Sequence, residues 1–354
     1  MKIEGKKCKL EKFFLICFIL VVLSLLLYLF KGFLLVIIIA SLMAVATSNA
    51  NAKFLSLTNG RKFLASMLTT ACMVLLFFAP FVYAMIELAK ALKNFDINLV
   101  TQTLNYVKNY QFTLPESLSF LEPKIKEFLA SIDLNSISKQ ILNYASSFTK
   151  SGAKFLIDMV LICIFYFFAN LYGTELVIYI KSVIPIDKQE LDDILSEVGN
   201  VMAVVLYSMI IIAILQGALF SIIAMFYGYD AILMGVIFAV SSLIPALGGA
   251  LVYIPISLYE FASSGLGSAL VIFIYSVVVI SFIADTLVKP LIIKWINEKL
   301  VKTPAKINEL LIFLAMIAGI STFGFWGIIL GPAILTFFIS TIRLYMILKD
   351  KNLI

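Results

Sequence analysis

Asp285 stands at the end of an apolar run that carries no other charge after Glu260. A carboxylate at membrane depth costs at least about 2.5–3.5 kcal/mol, so such a residue is a functional candidate by default. Lys289 follows four residues later in the acid-before-base order that favours a helical ion pair, and Pro290 then removes a backbone donor and leaves carbonyls free nearby. Two chemistries stay open: binding and release of a proton or sodium ion, or a local salt bridge at the interface. Gln216 lies in the middle of another apolar run and brings two donors and an acceptor that must be met by a neighbouring helix or by a polar solute. Ser241, Ser242, Ser321 and Thr322 border two glycine-rich interruptions. Their hydroxyls could line a midplane site for a cation or a polyhydroxylated solute, or bond back to their own helices. Asp230 and Glu260 flank the first interruption and are expected in the headgroup zone.

The remaining chemistry-bearing residues exclude more than they suggest. Histidine is absent, which removes imidazole acid–base catalysis and histidine metal sites. The four cysteines, Cys8, Cys17, Cys72 and Cys163, form no CxxC pair, so neither a zinc site nor a disulfide framework is supported. No phosphate-binding GxxxxGK[ST] motif is present. No enzyme, cofactor or resident metal is therefore expected. Lys plus Arg is 27 against 21 for Asp plus Glu, a net charge of +6 without a basic aromatic patch; membrane orientation explains this better than nucleic acid.

These side chains need a frame, and the frame is hydrocarbon-soluble. Hydrophobic residues make up 62% of the 354 and charged residues 14%, where soluble domains have roughly 45–50% and 25%. Apolar runs at 13–30, 33–47, 63–89, 155–180, 201–227 and 268–288 have about the length needed to cross a bilayer. The first two, separated by Lys31-Gly32, read as a tight transmembrane hairpin. Residues 90–150 turn polar while keeping helical stripes, and Asp187-x-x-Glu190 forms a capping box ahead of an amphipathic helix. The expected organisation is an N-terminal transmembrane unit at 1–89, an extracytoplasmic helical module at 90–150, a fourth span with a cytoplasmic amphipathic helix at 151–200, and a transport core at 201–348.

Within that core, two stretches are broken at mid-depth. Residues 230–260 are interrupted by Ile244-Pro245-Ala246-Leu247-Gly248-Gly249, and residues 309–345 by the series from Gly319 through Gly324 to Gly327. Freed backbone groups in hydrocarbon are tolerated only where protein or a water-filled cavity satisfies them. Both breaks are expected to face one shared cavity. Gly217, Gly228 and Gly235 read more simply as sites of close helix packing. Lysine clusters place the N-terminus, residues 53–62, residues 289–306 and the C-terminus in the cytoplasm. The two breaks then have opposite orientation, the pattern of an inverted-repeat secondary transporter.

Gln216-Gly217, Gly228, Ile244-Pro245-x-x-Gly248, Asp285-Thr286-Leu287-Val288-Lys289-Pro290 and the series Gly319, Phe323-Gly324, Gly327, Gly331-Pro332 resemble the autoinducer-2 exporter family of bacterial membrane proteins, in order and spacing from about residue 10 to 348. The chain departs from that pattern at Thr286, where Asn is usual, and at Leu243, where a polar residue often precedes Ile-Pro. The resemblance implies a multi-pass inner-membrane transporter, whose relatives export autoinducer-2 or exchange sodium for protons. The fold expected is all-α: about six full transmembrane helices, two re-entrant or broken hairpins and a small extramembrane helical module. The expected partners are the lipid bilayer, a small polar solute, and sodium ions or protons; a homo-oligomer stays open. Candidate pathway residues are Gln216, Ser241, Ser242, Pro245, Gly248, Gly249, Asp285, Lys289, Pro290, Ser321, Thr322, Gly324 and Gly327. A membrane scaffold built around the 90–150 module is the competing reading, although a scaffold has no need of polar breaks at bilayer depth.

Overall fold

The computed structural model describes residues 2–93, 101–103, 105–106, 122–124, 127, 134–183, 188–245, 247–299 and 308–350. Most of the 90–150 module, Asp187 of the expected capping box, and Lys302 and Lys306 of the second basic cluster lie outside these residues. Among the described residues every regular element is helical: α1 (Lys2–Leu29), α2 (Leu34–Ala46), α3 (Ser48–Leu57), α4 (Lys62–Met73), α5 (Ala79–Lys93), α6 (Leu134–Val183), α7 (Lys188–Phe226), α8 (Ala231–Ser242), α9 (Ala250–Ser264), α10 (Leu266–Tyr275), α11 (Lys289–Lys299), α12 (Glu309–Phe323) and α13 (Gly327–Asp350). Two wider, π-helical segments, Val74–Phe78 and Ser276–Val288, join α4 to α5 and α10 to α11. Each stands just before a proline inside a continuous helix, Pro80 and Pro290. A proline supplies no N–H to the turn before it, and wider winding there re-pairs the carbonyls.

Five helical stretches among the described residues are long and apolar enough to cross a membrane: Lys62–Lys90, Ser151–Tyr179, Gln189–Phe226, Leu266–Lys299 and Leu310–Arg343. The fifth doubles back instead of running straight. A Cβ built on Gly319 would lie 2.0 Å from the Gly327 carbonyl oxygen, and one on Gly331 would lie 1.9 Å from the Ala315 oxygen. Residues 315 and 331 would be about 24 Å apart along a straight helix, so α12 and α13 form a hairpin that turns at Gly324, whose φ is +65°.

The N-terminal pair departs from the expected hairpin. α1 and α2 meet at 96° across Phe30–Phe33, an L instead of an antiparallel turn. α2 has only 13 residues, too few for a 30 Å hydrocarbon core. It buries Val36, Ile39 and Met43 against α6 and α7, and that packing sets its direction independently of α1. α1 is exposed along nearly its whole apolar length, from Phe14 to Phe30, as suits a helix whose solvent is lipid.

α7 is the hub: α8, α13, α2 and α11 all pack on it. Its 39 residues extend for about 58 Å, so the amphipathic segment after Lys188 and the apolar run after Val201 are one helix. Glycines let α8 close onto it, since a Cβ on Gly217 would lie 2.5 Å from the Gly235 oxygen. At one end Arg343 of α13 donates to both carboxylate oxygens of Glu197 at 2.7 and 2.8 Å, with Ser340 donating at 2.8 Å, which clamps α13 to α7.

Candidate functional site

The first break closes as a tight, self-satisfied turn. Gly248 N donates to Ile244 O at 3.0 Å and Ile244 N to Ser241 O at 3.0 Å, so the backbone polar groups freed by ending α8 find partners within the turn. Only glycine fits at 248, where a Cβ would lie 1.9 Å from the Ser241 oxygen. α8 and α9, with 12 and 15 residues, are each short for a full span. They splay apart in their packing, α8 onto α7 and α9 onto α10, and leave the break as the wall of a cavity.

That cavity has a volume of about 610 Å³, within the range of small-molecule sites. Its walls come from α7, the end of α8, the break, the start of α9, the π-helical segment with α11, and α12. Most lining side chains are apolar, and polar groups converge from two helices. On α7, Ser208 and Gln216 share one face, eight residues apart; on the facing span Ser281, Asp285 and Lys289 recur every four residues. Gln216 is buried, and its Nε2 donates to Asp285 Oδ1 at 3.1 Å. Asp285 itself is open to the cavity.

The local ion pair open to Asp285 on sequence is absent from the ion pairs of the described residues, all of which lie elsewhere: Lys62–Glu175, Lys90–Glu87, Lys181–Asp192 and Arg343–Glu197. The helix changes from π to α winding between Asp285 and Lys289, which alters the angular relation that an i,i+4 pair depends on. Asp285 turns to a different helix instead.

Of the sequence candidates, the cavity gathers Gln216, Ser242, Pro245, Gly248, Gly249, Asp285, Lys289 and Pro290. Ser241 serves the turn through its carbonyl, and its side chain is not part of this lining. Ser321, Thr322, Gly324 and Gly327 stand apart from it: Thr322 bonds back to Ala318 O at 3.0 Å, and Gly327 packs on Gly319. The end of the second break is drawn into an aromatic cluster, with Trp326 stacked on Phe155 at 5.2 Å and Phe325 edge-on to Phe81 at 5.0 Å, while Ser321 to Gly324 are exposed. The α12 residues that do reach the cavity are Leu310, Ile312, Phe313 and Met316, half a helix earlier.

Ser208, Ser281 and Tyr253 line the cavity as well and were not singled out from sequence, although the four-residue recurrence of Ser281 with Asp285 and Lys289 was visible there. Asp230 caps α8 by accepting from Leu233 N at 3.0 Å. Glu260, expected in the headgroup zone, is 5% exposed and accepts a 2.6 Å hydrogen bond from the Tyr229 hydroxyl.

Comparison with known proteins agrees with this architecture. A family model described as AI-2E family transporter matches residues 15–347. A protein of Helicobacter pylori strain J99, named "Putative transport protein", is 32% identical over 326 residues, covering 90% of this chain and 91% of its own length. A second H. pylori strain has a relative of the same name that is 38% identical over 219 residues, 62% of this chain and 63% of the relative. A similarly named Aquifex aeolicus protein is 26% identical over 261 residues, 70% and 69% of the two chains.

Proposed function

This chain belongs to the AI-2E family of transporters, and we propose that it is a secondary transporter carrying a small polar solute through the cavity beside Gln216 and Asp285. The observation that supports this reading best is the Gln216–Asp285 hydrogen bond: two polar side chains from different spans converge in a mostly apolar cavity walled by a broken helix. A carboxylate, an amide, an ammonium group and several hydroxyls suit a compact polyhydroxylated solute of the autoinducer-2 type. In this reading an ion gradient drives export across the bacterial inner membrane, both termini are cytoplasmic and the 90–150 module lies outside. A second reading, sodium/proton antiport, draws support from the Asp285 carboxylate, which opens onto the cavity and makes no direct contact pair with Lys289 among the described residues.

Flux in proteoliposomes with imposed proton and sodium gradients tests both. Asparagine keeps the acceptor for Gln216 and loses only the charge, a difference of about 1–1.5 kcal/mol, so Asp285→Asn is expected to reduce gradient-driven flux by about 5- to 10-fold in a protein that remains folded. Combining Asp285→Lys with Lys289→Asp should not restore it, because the carboxylate would then stand a turn away from Gln216, its hydrogen-bond partner. Wild-type flux in the Asn variant would refute the assignment of Asp285. Proton–sodium exchange without any organic solute would favour the second reading.

A further inference from the structure

Glu260 has no place in the cavity, yet it is among the most buried charged side chains of the described residues, 5% exposed. Its Oε1 accepts the Tyr229 hydroxyl at 2.6 Å, while Oε2 is fully enclosed and has no hydrogen-bond partner. Ser257, one helical turn earlier on the same face of α9, is 7% exposed, and its Oγ is also enclosed and unpartnered. Among the described residues no lysine or arginine pairs with Glu260. Tyr229 packs against the apolar cluster of Phe220, Ile223 and Val252, so the surroundings offer the carboxylate little compensation. Glu260 also lies one turn from the C-terminus of α9, where the helix dipole opposes a negative side chain and favours a cation.

A buried carboxylate oxygen and a buried hydroxyl, both unpartnered and one turn apart, are what a hard cation would satisfy. We propose that Glu260 Oε2 and Ser257 Oγ form a binding site for a monovalent metal cation, with Tyr229 holding the carboxylate in place through Oε1. One carboxylate supplies a single negative charge, which suits sodium better than a divalent ion, whose sites gather several carboxylates. α9 carries Tyr253 in the cavity wall and Glu260 seven residues on, about 10 Å along the axis, so this site is separate from Asp285. Tyr106, within the 90–150 module, meets Phe261 edge-on at 5.6 Å, which puts the site at the module-facing end of the helix. The site goes beyond the transport reading, because sodium binding here needs no transported solute; its absence would leave transport through the cavity untouched.

Thermal melting of the purified full-length protein, with sodium chloride titrated against N-methyl-D-glucamine chloride at constant ionic strength, reads the site directly. A ligand that binds only the folded state raises the melting temperature with its concentration. The wild type is expected to show a saturable rise, kept in Asp285→Asn and abolished in Glu260→Gln. Ser257→Ala removes a hydroxyl that has no partner of its own, so its sodium-free melting should be unchanged or higher, while its sodium midpoint moves up by about tenfold, the effect of losing one good ligand contact. No saturable rise in the wild type would overturn the proposal. So would a wild-type midpoint in Ser257→Ala, which decides the matter should Glu260→Gln not fold.

Discussion

Replacing Gly327 by alanine separates a helical hairpin from a single long span. A Cβ at Gly327 would lie 1.8 Å from the Gly319 oxygen, and a Cβ at Gly319 would lie 2.0 Å from the Gly327 oxygen. Ordinary contact begins near 3.4 Å, so either alanine requires α12 and α13 to separate by about 1.4–1.6 Å. The obstructing atoms are backbone and cannot rotate aside. Overpacking of this kind costs about 1–3 kcal/mol, which is roughly a 5- to 150-fold loss in the ratio of folded to unfolded protein. Because the helices need to separate only once, the double alanine variant should cost less than the two single variants combined. At Gly173 in α6 a Cβ would meet nothing within 4 Å, so alanine there should stabilise by about 0.5–1 kcal/mol through backbone entropy. Reversible unfolding of the purified protein in a denaturing detergent titration, followed by tryptophan fluorescence, ranks all four variants. If Gly319→Ala and Gly327→Ala unfold like Gly173→Ala, the two helices do not touch. The 34 residues from Leu310 to Arg343 would then be one rod of about 51 Å.

In a protein freed of its own cysteines, Ser242→Cys is expected to react with a membrane-impermeant thiol reagent and lose flux, because Ser242 lines the cavity. Ser321→Cys should keep its flux after the same treatment, since Ser321 lies outside the cavity lining; equal loss at both positions would show that the two breaks share one pathway. For topology, a reporter active only outside the cytoplasm should be active when fused at Asn109 and silent at Asn297, and the reverse result would invert the lysine-based orientation.

Residence in the membrane, the helical class and the positions of both breaks were legible in the sequence. Hydrocarbon offers no hydrogen bonds, so the length of an apolar run and the place of a Pro245 or a Gly248-Gly249 within it carry structural meaning one residue at a time. For the same reason Gln216 and Asp285 stood out before any fold was known. Their partnership did not. Hydropathy says that a polar side chain must be satisfied but not by which helix, and the π-to-α change ahead of Lys289 sent Asp285 to Gln216 across the cavity. The fate of the second break was equally hidden, because glycine content marks where a chain turns and leaves open what the turn meets: here Phe325 and Trp326 pack on Phe81 and Phe155, while Ser321 to Gly324 are exposed away from the cavity. The 96° bend between α1 and α2 and the burial of Glu260 against Tyr229 belong to the same class. They depend on how helices rotate and pack around α7, and that is decided by side chains far apart in the chain.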